Sequence, residues 1–128
     1  MRLLLDTCTF LWLGLDSDKL SKAAVAAFLN PESRSFLSAA SAWEIAIKYT
    51  AGRLSLPRKP EYFIAEEREK IGIATLPVDE EAALQTTRLP RLHNDPFDRM
   101  LVAQAMIHDL IIVTPDVAIE RYGVRVLW

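Results

Sequence analysis

Short apolar runs separated by helical stretches constrain this chain more than any other feature. Leu3-Leu4-Leu5, Phe36-Leu37, Ile73-Ala74-Thr75-Leu76 and Ile111-Ile112-Val113 are too short for helices of ordinary length. Continuous apolar runs of this size suit strands covered on both faces, as in a parallel sheet. The first strand is expected over Arg2 to Asp6, the second over Ser35 to Ser38, and a last one over Val124 to Leu127. Between them the helical signals are regular. An apolar turn spans Phe10 to Leu13, and Ser21 can cap a helix that ends at Asn30-Pro31. Ser41 can open a helix through Tyr49, with Gly52 just past its end. A further helix runs from Glu61, near Pro60, to Ile71 and closes at Gly72, and Asp79 can cap one that carries Ala82, Ala83 and Leu84. Asp95-Pro96 starts the strongest helix, Pro96 to His108, with Leu101, Val102, Ala105 and Met106 on its apolar face. Strands alternating with helices imply a three-layer α/β/α sandwich around a mainly parallel sheet, formed as one domain over residues 1–128.

That architecture gives four acids a common address. Parallel strands put their carboxyl ends, and the amino ends of the returning helices, at one edge of the sheet, where ligands of open α/β folds bind. Asp6 ends the first strand and Asp116 follows the fourth; Glu44 and Asp98 fall near helix starts. Four like charges brought together lose water and repel one another, at a cost of several kcal/mol unless something positive joins them. No lysine or arginine adjoins Asp6, Glu44 or Asp116 in sequence. A divalent cation with oxygen ligands is the natural occupant.

Each acid also has a purely structural explanation. Ser41-Ala42-Trp43-Glu44 reads as a capping box, in which Glu44 bonds back to the Ser41 backbone. Asp95 before Pro96 is an ordinary N-cap, Asp98 suits the positive end of the helix dipole, and Asp116 in Thr-Pro-Asp suits a turn. Asp6 is the hardest to explain by strand or helix propensity. Capping accounts for the helix starts but not for the acids at the facing strand ends. Thr7, Ser38 and Thr114 lie near enough in sequence to orient these carboxylates.

Composition removes other classes. The 128 residues are 51% hydrophobic and 25% charged, enough for a real core. No apolar run approaches the roughly 20 residues a membrane span requires. Asp6 interrupts the apolar start, and no small-residue cleavage site follows, so the beginning reads as a strand and not a signal peptide. A single cysteine, Cys8, excludes an internal disulfide and fits a reducing cytoplasm; with two histidines, a structural zinc site is not expected. The net charge of −2 supplies no global field for nucleic acid. Lys48, Arg53, Arg58 and Lys59 nevertheless follow one another with no acid among them, as either a solvated helix end or a phosphate-contacting patch. Trp12, Trp43, Phe97 and Trp128 read as core or interface aromatics and Cys8 as a small buried residue; His93, two residues before Asp95, reads as a loop residue without a role, with a substrate contact as the alternative.

Four segments in this order resemble the PIN-domain family: Leu3-Leu4-Leu5-Asp6-Thr7, Ser38 through Trp43-Glu44-Ile45-Ala46-Ile47-Lys48, His93-Asn94-Asp95-Pro96-Phe97-Asp98-Arg99 through Ala105, and Val113-Thr114-Pro115-Asp116. The resemblance is to the VapC-like toxins of prokaryotic toxin–antitoxin pairs in particular, and it extends to Tyr122-Gly123-Val124-Arg125-Val126-Leu127-Trp128. It implies a parallel sheet flanked by helices and a magnesium- or manganese-dependent ribonuclease. Asp6, Glu44, Asp98 and Asp116 match the family's acidic quartet, and Asp95 an additional acid of the Asp-Pro-Phe-Asp subgroup. Cys8 departs from the histidine that many relatives carry, outside the quartet. The resemblance also implies an antitoxin partner whose tail fills the acidic groove, and a homodimer or a hetero-oligomer with that antitoxin.

The expected activity is therefore metal-dependent hydrolysis of RNA. Asp6 and Asp98 are expected to bind Mg²⁺ or Mn²⁺ directly, with Glu44 and Asp116 binding directly or through water. Lys48, Arg53 and Arg99 are candidates for RNA phosphate contacts. One rival is a catalytically silent binding module that uses the acidic groove for partner recognition. Another is a phosphatase with Asp6 as nucleophile, which would need a second acid where Cys8 stands.

Overall fold

The computed structural model describes residues 1–128. Five strands form one sheet in the order β3-β2-β1-β4-β5, and every neighbouring pair is parallel. β1 is Arg2–Leu5, β2 Arg34–Ser38, β3 Ile73–Leu76, β4 Ile111–Val113 and β5 Val126–Leu127. The helices are α1 (Thr7–Gly14), α2 (Lys22–Leu29), α3 (Ala39–Thr50), α4 (Pro60–Ile71), α5 (Glu80–Gln85) and α6 (Pro96–His108). Short 3₁₀ turns cover Thr86–Arg88 and Val117–Tyr122. No helix is long and apolar enough to cross a membrane.

The apolar run of β1 shows why the sandwich has two cores. Side chains alternate across a strand. Leu3 and Leu5 therefore join Phe10, Ala24, Leu37, Ile45 and Phe63 on one face. Leu4 joins Phe36, Leu101, Val102, Ile112 and Tyr122 on the other. All three leucines are fully buried, and each contributes about 1.5–3 kcal/mol relative to exposure. Helices α1 to α4 supply the first layer, and α6 with the turn at Val117–Tyr122 covers the second.

Several boundaries differ from expectation, each for a local reason. α1 is a full helix from Thr7, because Asp6 ends β1 and caps the helix at once: its side chain accepts from the Thr9 N–H. Asp6 thus has the capping explanation its position in sequence concealed. α3 starts at Ala39, not at Ser41. Ser38, the last residue of β2, is the cap and accepts from the Ala40 N–H at 3.0 Å, so strand passes into helix without a loop. Ser41 is buried inside the helix with its hydroxyl unpaired. The Ser41–Glu44 capping box does not exist. β5 is two residues shorter at its start than Val124 to Leu127. The bounds Pro60–Ile71 and Pro96–His108 are as expected, and Gly72 closes α4 in the left-handed region at φ 70°.

Gly14 ends α1 where only hydrogen fits. A Cβ there would lie 2.9 Å from Phe63 Cζ and 3.2 Å from Glu67 Cγ. Phe63 is fully buried and meets Phe10 edge-on, so it has little freedom to retreat. Gly14→Ala is expected to cost about 1–3 kcal/mol by overpacking, read as a lower midpoint in thermal or urea unfolding.

Candidate active site

The sheet order reverses between β1 and β4, and that switch point is where α/β folds bind ligands. Asp6 leaves β1 and Asp116 leaves the loop after β4, one on each side of it. α3 and α6 bring Glu44 and Asp98 to the same edge. All four acids line one cleft of about 240 Å³, together with Thr7, Cys8, Lys48, Thr114, Pro115 and flanking apolar residues.

Each acid is held differently. Asp6 is buried; its Oδ1 accepts from the Thr9 N–H at 2.8 Å and from the Cys8 thiol at 3.2 Å. Thr9, which sequence reasoning overlooked, ties this turn down by donating its hydroxyl to the Val113 carbonyl at 2.9 Å. Glu44 is also buried and lies in the second turn of α3, one turn deeper than expected. Its Oε1 accepts from Thr7 Oγ1 at 2.6 Å and its Oε2 from Lys48 Nζ at 2.7 Å. Asp116 caps the following 3₁₀ turn through the Ala118 N–H. Thr114 is buried and accepts from the Asp116 N–H, so it shapes the loop backbone and not a carboxylate.

Asp98 reports the electrostatics of the cleft. Burial, and then the charges of Asp95, Glu44, Asp6 and Asp116, push its carboxyl up to about 7. Proton uptake near neutrality is what desolvation and like-charge crowding produce. The Cys8 thiol is pushed up to about 12, by burial first and by Asp6 second. It stays protonated and donates to Asp6, which removes it as a nucleophile.

The other candidates stand outside this group. Asp95 is exposed and caps α6, accepting from the Phe97 and Asp98 N–H groups. It does not line the cleft, though its charge reaches Asp98. Arg53 is exposed and also lies away from it. Arg99 donates to the Pro90 and Thr86 carbonyls at 2.8 and 2.9 Å, and so staples the loop before α6. Arg58 is paired with Glu66 at 2.8 Å. Of the basic residues singled out, Lys48 alone lines the cleft, one helical turn from the acid it neutralises. Adjacency in sequence did not reveal that cation; helical periodicity does.

No three acidic, histidine or cysteine side chains already stand close enough together to chelate an ion. The donor set nevertheless fits a hard cation that keeps part of its water shell. Mg²⁺ usually takes one or two carboxylates and several waters, and here the donors are all oxygen around a cleft with room for both. Neutralising the crowding at Asp98 would add to the affinity.

An all-parallel α/β/α sandwich with acids converging at its switch point is the architecture of a PIN domain. The PIN domain profile matches residues 3–124, and the chain belongs to that family. No functionally curated protein matches it in sequence. Among solved structures, VapBC2 from Rickettsia felis bound to a DNA fragment from their promoter is similar at TM-score 0.73 and 11% identity, over 98% of this chain and 97% of that one. DNA-bound VapBC from Salmonella typhimurium gives TM-score 0.70 and 24% identity, over 98% and 96%. VapBC-5 from Mycobacterium tuberculosis, a member of the VapBC family of toxin–antitoxin systems, gives TM-score 0.59 and 21% identity, over 98% and 94%.

Proposed function

We propose that this protein is the toxin of a toxin–antitoxin pair and acts as a Mg²⁺- or Mn²⁺-dependent endoribonuclease. The observation that carries the proposal is the convergence of Asp6, Glu44, Asp98 and Asp116 on one cleft at the switch point. Membership of the PIN family supports nuclease chemistry. The likeness to VapBC complexes supports an antitoxin partner; the proposed assembly is a homodimer of the toxin or a hetero-oligomer with that antitoxin. The cytoplasm is the proposed compartment.

In this reading Asp6 and Asp98 hold the ion, and Glu44 and Asp116 complete its shell directly or through water. A divalent ion bound there supplies a water acidic enough to attack at neutral pH and offsets charge on the phosphodiester. The chain's own groups do the rest. Thr7 fixes the Glu44 carboxylate through its hydroxyl. Lys48, held against Glu44 at the cleft wall, would offer its ammonium to a phosphate oxygen of RNA. Without metal the cleft is acidic and repels RNA, so activity should depend steeply on the cation.

Incubation of RNA with the purified protein and Mg²⁺ or Mn²⁺ is expected to give internal cleavage, and EDTA is expected to abolish it. Cleavage that survives the chelator removes the metal mechanism. No cleavage by a folded protein that does bind the ion would leave the acidic groove as a partner-recognition site.

A further inference from the structure

One polar atom beside the acidic cleft has no partner. His93 Nε2 is buried and forms no hydrogen bond. The rest of the ring is fixed. Its Nδ1 faces the Asp95 N–H at 3.3 Å and Tyr122 Oη at 3.5 Å, and the ring packs edge-on against Tyr122 with centroids 5.4 Å apart. An Nδ1 that accepts from a backbone N–H places the proton of a neutral imidazole on Nε2. His93 does not itself line the acidic cleft, but Asp98, which does, has its Oδ2 3.9 Å from that nitrogen. The gap is too long for a hydrogen bond. A buried donor left unpaired is costly, and a modest turn of the Asp98 side chain would satisfy it.

We propose that His93 is a positioning residue for Asp98: its Nε2–H takes one carboxylate oxygen and turns the other toward the cation. The inference rests on the metal-site reading above and gives His93 a role through Asp98. Carboxylate ligands are commonly held by such outer hydrogen bonds, which fix their orientation before the ion arrives. The Asp95 N–H and Tyr122 serve to aim the ring, and the exposed Asp95 carboxylate needs no contact with metal.

Two substitutions separate positioning from support of the loop. In His93→Gln the amide nitrogen reaches the Nε2 position, whereas in His93→Asn the amide reaches only the Nδ1 position. Calorimetric titration with Mn²⁺ alone is expected to show binding weakened about 10–100-fold in His93→Asn, with His93→Gln near wild type. Metal-free melting temperatures of the two variants should be similar. If His93 only supports the loop, the pattern reverses: Asn preserves Mn²⁺ binding and Gln does not. That reversal, or wild-type affinity in His93→Asn, overturns the proposal. A wild-type protein that binds no Mn²⁺ overturns both this proposal and the metal-site reading.

Discussion

Asp98→Asn is expected to lower metal-dependent RNA cleavage by about 10²–10³-fold, the scale on which losing one charge-stabilising group acts. The same change should stabilise the metal-free protein near pH 8. The Asp98 carboxyl is raised to about 7, by burial and by four neighbouring acids. A folded value above the ordinary one means that the native state binds more protons than the unfolded chain between those two values. Metal-free stability therefore falls as pH climbs from the carboxylate range through about 7, and stays low above it. Asparagine has no proton to lose, so this component of the pH slope should vanish from melting curves taken at pH 5 and pH 8. Added Mn²⁺ should reverse the ranking, since only the wild type gains full stabilisation from the ligand. A large drop in the metal-free melting temperature of Asp98→Asn would instead mark the residue as a structural support.

Asp6 predicts a different pairing of effects, because it serves two purposes. Its carboxylate lines the cleft and its Oδ1 caps α1. Asparagine caps a helix about as well as aspartate, and alanine does not. Asp6→Asn and Asp6→Ala should both lose cleavage by about 10²–10³-fold, as expected for a lost charge at the reacting centre. Asp6→Ala alone should also lose about 1 kcal/mol of stability, roughly 4 °C in melting temperature for a chain of this size. Equal stability losses in the two variants would mean that the thiol and backbone contacts at Asp6 do not act as a cap. Cleavage retained by Asp6→Asn would take Asp6 out of the ion's shell.

Much of this site was legible in residue order, and the reasons differ by element. Leu3 to Leu5 announced a strand buried on both faces because its polar neighbours come only at the ends. Pro96 to His108 announced itself through Asp95-Pro96 and an apolar stripe. In a parallel sheet the common edge for Asp6, Glu44, Asp98 and Asp116 follows from geometry. What stayed hidden was decided by contacts between distant segments. Ser41-x-x-Glu44 fitted a local capping rule, but Ser38 captured the cap, and Glu44 turned to Thr7, 37 residues away. Lys48 was legible in principle, four residues after Glu44 on one helix face. The approach of His93 to Asp98 depends on how the loop before α6 folds, and Arg99 fixes that loop through two backbone carbonyls. Those two bonds span 9 and 13 residues, beyond the reach of capping and turn rules.

The shared cation is best tested by diffraction from crystals soaked in Mn²⁺, with data collected where manganese scatters anomalously. A peak among the carboxylates of Asp6, Glu44, Asp98 and Asp116, within coordinating distance of Asp6 and Asp98, is the result expected. An empty cleft in a crystal that takes up Mn²⁺ elsewhere, or a peak that touches neither Asp6 nor Asp98, would contradict the account.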